Sequence, residues 1–452
     1  MGRITLRQAA AWCGGRVEEQ YADITFLGAN NDSRKLQPGQ MFIALQGERD
    51  GHDFIPMAME KGASAVLCSR ECPGVPSIVV EDTRRALGDI ARQERQRIGM
   101  KVIGVTGSVG KSTTKEMIAQ VLQGSYRVAK TPVNQNNDIG MPMAILSMAE
   151  DTQVAVLEMG MNHFREIAYL TDIAKPDLGV IVNIGTMHIE HLGTREGILQ
   201  AKMEILEGMS RDGYLLLNGD DDQLWTQRGI DNVNLQFFGW ENTACEVLAQ
   251  QVQEQDGTIC FQINADGVQF PVELALEGRH YVLDALAAIS VALNLGVEPA
   301  LIAQRLAQFR NMEGRQEILE LQGYTIIKDC YNAGPESMAA ALRVLGNKPG
   351  RRIAVLGDML ELGARAKAEH YAVGRIVAQE ADMLFAYGSN GDRVVSGAIT
   401  GGMSGTKAMI FDDRQKLVEK LKLLAKPGDV ILFKGSRGMR MELVLEGFLK
   451  ET

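Results

Sequence analysis

The segment Gly104-Val-Thr-Gly-Ser-Val-Gly-Lys-Ser-Thr113 constrains the fold more than any other. An apolar run, Lys101–Val105, precedes it, and a helix-patterned run, Ser112–Leu122, follows. A strand that feeds a helix through a glycine turn belongs to a parallel sheet covered by helices. Such a turn points backbone N–H groups at an anion, and the helix dipole supports them. The common phosphate-loop template wants its first glycine at position 105, where this chain has Val105. Gly104 and Gly107 flank that place, and five residues separate Gly104 from Gly110. The working core is then Thr106, Gly107, Ser108, Val109, Gly110, Lys111 and Ser112, with Thr113 continuing the helix. Lys111 would neutralise β- and γ-phosphate charge, and the Ser112 hydroxyl would hold Mg²⁺.

Strand-like runs recur along the chain. They include Val154–Glu158, Leu178–Asn183, Tyr214–Leu217, Thr325–Asp329, Arg352–Leu356, Met383–Tyr387 and Asp429–Phe433. Helical stretches separate them, so the class is α/β with mostly parallel sheets. The stretch Val247–Leu276 alternates instead and reads as an antiparallel excursion. Boundaries near Glu81–Arg85 and Phe309–Gly314 divide the chain into three expected domains, 1–83, 84–311 and 312–452. A length of 452 residues suits two to four domains of ordinary size.

The formal net charge of −10 argues against a broad nucleic-acid surface but leaves room for a basic pocket. No apolar run approaches the ~20 residues that span a bilayer, and Met1–Trp12 reads as a short amphipathic segment. The six cysteines are scattered, and only Cys68 and Cys72 are close. Free thiols in a reducing cytoplasm are the simplest reading.

Phosphate chemistry calls for metal ligands. Glu158 ends a strand at the sheet edge that faces the ligand crevice in parallel α/β folds. His188 follows the next strand, and Lys202 follows in Gln200–Glu204. Taken singly, these residues could equally be a solvated strand end, a loop histidine and a helix-surface lysine. His52, His163 and His370 have no visible pairing; His191 is an optional partner of His188.

Together these segments resemble the Mur ligase family of ATP-dependent amide-forming enzymes. The resemblance rests on Thr106–Ser112, Asn134–Pro142, Glu158–Asn162, the His188 segment, Ala201-Lys202, Gly278–His280, Gly314-Arg315 and Asp329–Ala333. It implies an N-terminal UDP-substrate domain, a central ATPase domain and a C-terminal Rossmann-like domain. It also implies that ATP phosphorylates a substrate carboxylate and that an amine attacks the acyl phosphate. By the same resemblance Ser112 and Glu158 would bind one Mg²⁺ and His188 a second. Lys202 would carry a CO₂-derived carbamate as a further metal ligand. Asn136 and Asn137 would shape the site, and Arg315 and Asp329 would close on the nucleotide, Asp329 towards ribose. Many relatives carry an adenine-contacting asparagine where this chain has Asp284. That carboxylate can accept from an amino group but donates only when protonated; a charge at a helix N-terminus is the other reading.

Three further segments are similar to the family member that joins D-alanyl-D-alanine to UDP-N-acetylmuramoyl-tripeptide. They are Asp329–Ser337, Gly357–Gly363 and Lys434–Met439. Tyr331 and Asn332 would contact substrate there, and Lys434, Ser436 and Arg437 could meet the dipeptide carboxylate. Asp358 and Glu361 could place the ammonium or stabilise a turn. Near the N-terminus, Asn31–Arg34 and Gly47–Phe54 resemble a UDP-sugar site, with Ser33 and Arg34 as candidate ligands. A monomer is the expected state. A folylpolyglutamate synthase-like ligase and a non-catalytic nucleotide-binding scaffold are the alternatives. The chain length before the loop and the intact set Lys111, Ser112, Glu158, His188 and Lys202 weigh against them.

Overall fold

The computed structural model describes residues 4–231, 233–255 and 257–450. Among these, three large sheets of five, nine and six strands follow one another along the chain, with a small two-stranded pair at the start. The class is α/β, as the alternating runs imply.

The central sheet positions the site. Its strand Lys101–Thr106 lies between Val154–Glu158 and Leu178–Ile181, parallel to both. Glu158 is registered with Val105, and Ile181 with Thr106. The loop thus leaves the sheet where its two neighbours also end, at the carboxyl edge that forms a crevice. All five residues of Val154–Glu158 are buried. The reason is that both faces are covered: Ala155 and Leu157 join the core on one side, Val154 and Val156 the core on the other. Burial of each valine or leucine among them contributes on the order of 1.5–3 kcal/mol.

The alternating stretch forms three strands, Val247–Gln255, Thr258–Ala265 and Val268–Leu274, paired antiparallel at the sheet's edge. The helix Tyr281–Asn294 then returns across the sheet and packs on the loop helix Lys111–Leu122. It is apolar nearly all round, and its side chains from Ala285 to Ala292 are buried. A helix of that composition belongs inside a core.

The last sheet has Val430–Lys434 at its centre, parallel to Tyr324–Asp329 on one side and Arg352–Gly357 on the other. Asp329 is registered with Lys434. The C-terminal unit docks on the central one: Lys348 pairs with Glu277 at 2.6 Å, and the Gln316 amide donates to the Glu277 carbonyl. Among the described residues no helix is long and apolar enough to cross a membrane.

Candidate active site

The loop is held from below. Gly110 caps the helix Lys111–Leu122 at φ 84°, a left-handed conformation that favours glycine. A Cβ there would lie 2.7 Å from Asp284 Oδ1, so the position is closed to larger residues. The Asn183 carbonyl oxygen of its side chain accepts from the N–H groups of Ser108 and Val109 at 3.1 and 2.9 Å. The Lys111 ammonium donates to the Gly107 and Ser108 carbonyls at 2.7 and 3.2 Å. It therefore lies folded along its own loop. Desolvation lowers its pKa from the usual lysine range, and Arg315 adds to this while Glu158 opposes it.

Glu158 is the hub. Its Oε2 accepts from the Ser112 hydroxyl at 2.7 Å, and its Oε1 from the Asn136 amide at 2.8 Å. Thr131 Oγ1 fixes its backbone N–H at 3.0 Å, and Lys115 approaches at 3.9 Å. Burial pushes the carboxyl up, but Lys111, Ser112, Asn136 and Lys115 together hold it below the usual range. It stays an anion. Ser112 and Glu158 are adjacent hard oxygen donors, and among the described residues no three His, Cys, Asp or Glu side chains cluster as a metal cage. Such a pair suits Mg²⁺, which takes few protein ligands and fills its shell with phosphate oxygens and water.

His188 has φ 63°, rare for a residue with a side chain. Its Nδ1 lies 2.9 Å from Glu361 Oε2, off the line of a good hydrogen bond. The contact still holds the Glu361 carboxyl below its usual range. Lys202 is 2% exposed on the helix Arg195–Met203, and neither a hydrogen bond nor an ion pair engages its ammonium among the described residues. Desolvation, with repulsion from Lys111, drives its pKa well below the usual lysine value.

Asp284 lies in the first turn of its helix and accepts from the Thr114 hydroxyl at 2.5 Å. It is 4% exposed, and burial pushes its carboxyl up to about 7. The C-terminal unit contributes Arg315, whose guanidinium donates to the Ser112 hydroxyl at 2.9 Å and stacks over the Tyr331 ring at 4.0 Å. Asp329 accepts from the Lys434 ammonium at 2.5 Å.

Most of these groups line one cleft of about 550 Å³. It brings together Ser108, Val109, Gly110, Lys111, Ser112, Thr113, Asn136, Asn137, Glu158, His188 and Asp284 with Arg315, Asp329, Tyr331, Asn332 and Lys434. Thr106, Gly107, Lys202, Ser33, Arg34, Ser436 and Arg437 are not on its lining. The Asn137 side-chain oxygen accepts from the Ile139 and Gly140 N–H groups at the start of the helix Gly140–Leu146. Lys434 is engaged by Asp329, and Ser436 bridges Leu360 N–H and the Ala333 carbonyl. Arg437 faces solvent beside Glu442. Ser33 is buried against Met57, while Arg34 is exposed and paired with Asp32. Asp358 accepts from Ser389 and Asn390 and so stabilises a turn. His191 packs against His163, with ring centroids 4.5 Å apart and the ring planes tilted by 34°. Sequence reasoning missed Thr114, Lys115, Thr131 and Glu336; of these only Thr114 carried a signal, one turn along the loop helix.

A strand-borne phosphate loop, a buried glutamate beside its serine and a second unit closing with an arginine define the class. The chain belongs to the Mur ligase family. The family's catalytic domain matches residues 23–95, its middle domain 105–292 and its glutamate ligase domain 314–437. The chain is 38% identical to the UDP-N-acetylmuramoyl-tripeptide–D-alanyl-D-alanine ligase of Bacillus subtilis, covering 97% of this chain and 96% of that one. The same-named ligase of Escherichia coli is 35% identical, over 98% and 97%. Among solved structures, MurF from Acinetobacter baumannii superimposes with a TM-score of 0.91 at 31% identity over 100% of both chains. MurF ligase from Thermotoga maritima in complex with ADP gives 0.83 at 32% identity, over 94% and 97%.

Proposed function

We propose that this chain is an ATP-dependent amide ligase that adds D-alanyl-D-alanine to UDP-N-acetylmuramoyl-tripeptide. The product would be the UDP-muramoyl pentapeptide, a peptidoglycan precursor made in the cytoplasm and needed for cell-wall growth and division. The observation that carries the reading is the single cleft in which the Ser112–Glu158 pair meets Arg315 and Asp329 of the C-terminal unit. Full-length similarity to ligases of that name supports the choice of substrates.

In this reading the loop N–H groups and Lys111 receive the ATP phosphates. Lys111 must swing off Gly107 and Ser108 to do so, a short motion of a flexible stem. Ser112 and Glu158 would hold one Mg²⁺ and His188 a second; bound there, the ions would offset charge on the transferring phosphoryl group. Lys202, in which burial favours the free amine, is suited to react with CO₂ and so become an anionic carbamate. Arg315 closes on the phosphates from the far side. Asp329 would face ribose and Asp284 the base side, while Tyr331, Asn332 and Arg437 would meet the peptide substrates. Ser33 and Arg34 would contact the UDP-sugar from the N-terminal unit. The protein would act as a monomer.

The test is direct. The protein is incubated with ATP, Mg²⁺ and UDP-N-acetylmuramoyl-tripeptide, and phosphate release is followed with and without D-alanyl-D-alanine. Dipeptide-dependent release is expected; its absence sinks the reading.

A further inference from the structure

A turn of the central unit, Gly185–His188, is gripped by the C-terminal unit. Glu336 lies in the first turn of the helix Pro335–Gly346. Its Oε1 accepts two hydrogen bonds from Thr186, one from the backbone N–H at 2.8 Å and one from the hydroxyl at 2.9 Å. The partners are 150 positions apart. Gly185 permits the approach, because a Cβ there would lie 2.8 Å from that same oxygen. The other carboxylate oxygen, Oε2, is buried and has no hydrogen-bond partner among the described residues. Two residues on from Thr186, His188 meets Glu361 of the same C-terminal unit at 2.9 Å.

We propose that Glu336 is a positioning residue: it latches the C-terminal unit onto the Gly185–His188 turn and so couples docking of that unit to the placement of the His188 imidazole. Both bonds fall on one oxygen, so the carboxylate fixes Thr186 in direction as well as distance. The turn has little freedom left between Thr186 and the left-handed backbone of His188.

This inference rests on the ligase reading for its kinetic consequence, but not for its structural one. The experiment therefore has two arms, run on full-length parent, Glu336→Ala, Glu336→Gln, Thr186→Val and the Glu336→Ala/Thr186→Val pair. Small-angle scattering, with and without a non-hydrolysable ATP analogue, reports how far the units separate. Phosphate release at varied dipeptide concentration gives KM and kcat. Glu336→Ala is expected to expand the particle and to raise KM for the dipeptide about tenfold, the effect of losing roughly 1.4 kcal/mol. Glu336→Gln is expected to behave as the parent, because its amide oxygen accepts the same two bonds. Thr186→Val should fall between, and the double variant should be no worse than Glu336→Ala alone. The proposal is overturned if Glu336→Ala scatters and turns over as the parent does. It is equally overturned if Glu336→Gln is as impaired as Glu336→Ala, or if the two single effects simply add. Should the parent show no dipeptide-dependent release, the ligase reading fails and the scattering arm still decides the latch.

Discussion

The guanidinium of Arg315 donates to the hydroxyl of Ser112 at 2.9 Å, although the two residues stand 203 positions apart. Ser112 in turn donates to Glu158, so one hydroxyl ties the C-terminal unit to the centre of the nucleotide cleft. Arg315→Ala should raise KM for ATP about tenfold or more, since a hydrogen bond to a charged group contributes roughly 1.5–3 kcal/mol. Arg315→Lys should recover only part of this, because lysine cannot stack flat on Tyr331 as the guanidinium does. Steady-state phosphate release at varied ATP measures both.

Lys202 leads to a chemical prediction. Lys202→Ala should lower kcat at least about a hundredfold, the scale on which a charged group at a transfer site acts. Added formate or acetate should restore part of the rate. In the parent, ¹³C-labelled bicarbonate should give a carbamate resonance that Lys202→Ala lacks. The depressed pKa sets the pH sense: the free amine extends to lower pH than for an exposed lysine and is lost as pH falls through the folded pKa. Full activity of Lys202→Ala, without added carboxylate, would remove this role.

Asp284 predicts a dependence of stability on pH. Its folded pKa, about 7, lies above the ordinary value of 3.8. Between those values the folded chain keeps a proton that the unfolded chain has lost. Stability from this group is therefore fully present below about pH 4, falls as pH rises and levels off above about 7. Asp284→Asn keeps an acceptor for Thr114 and removes the titration. The thermal midpoint of the parent relative to Asp284→Asn should decline from pH 5 to pH 7 and then stay level. A flat difference across that interval would count against a buried, proton-binding Asp284.

The central sheet offers a stability test away from the cleft. Leu157 is fully buried beside Glu158 in the strand Val154–Glu158. Leu157→Ala should cost about 2–5 kcal/mol, the range for emptying a buried leucine site. Thermal melting followed by circular dichroism measures the loss.

Much of this was legible in the chain itself because it is local. The glycine loop, the strand ends at Glu158 and Asp329, and the alternating stretch from Val247 each depend on neighbours within a few residues. Glu158 could be singled out because a strand end in a parallel sheet has a known side. The grip of Glu336 on Thr186 could not, because it depends on how two units meet. Asn137 shows a second duty that its place beside Asn136 did not suggest: it lines the cleft, and its side-chain oxygen also accepts from the Ile139 and Gly140 N–H groups at the start of the next helix. Lys434 looked available to a substrate carboxylate, and the pairing that engages it with Asp329 comes only from sheet register.

The bond between Thr114 and Asp284 has a bearing on how the protein is made. Its two ends are 170 positions apart. At about 5–20 residues per second, the ribosome delivers Asp284 on the order of ten to thirty seconds after Thr114. Over that interval the loop helix is in the cell without the clamp beneath its first turn. A nascent chain should therefore acquire its grip on nucleotide late, first when the helix Tyr281–Asn294 arrives and again when Arg315 follows. Ribosome-bound chains stalled on either side of that helix would separate the two states.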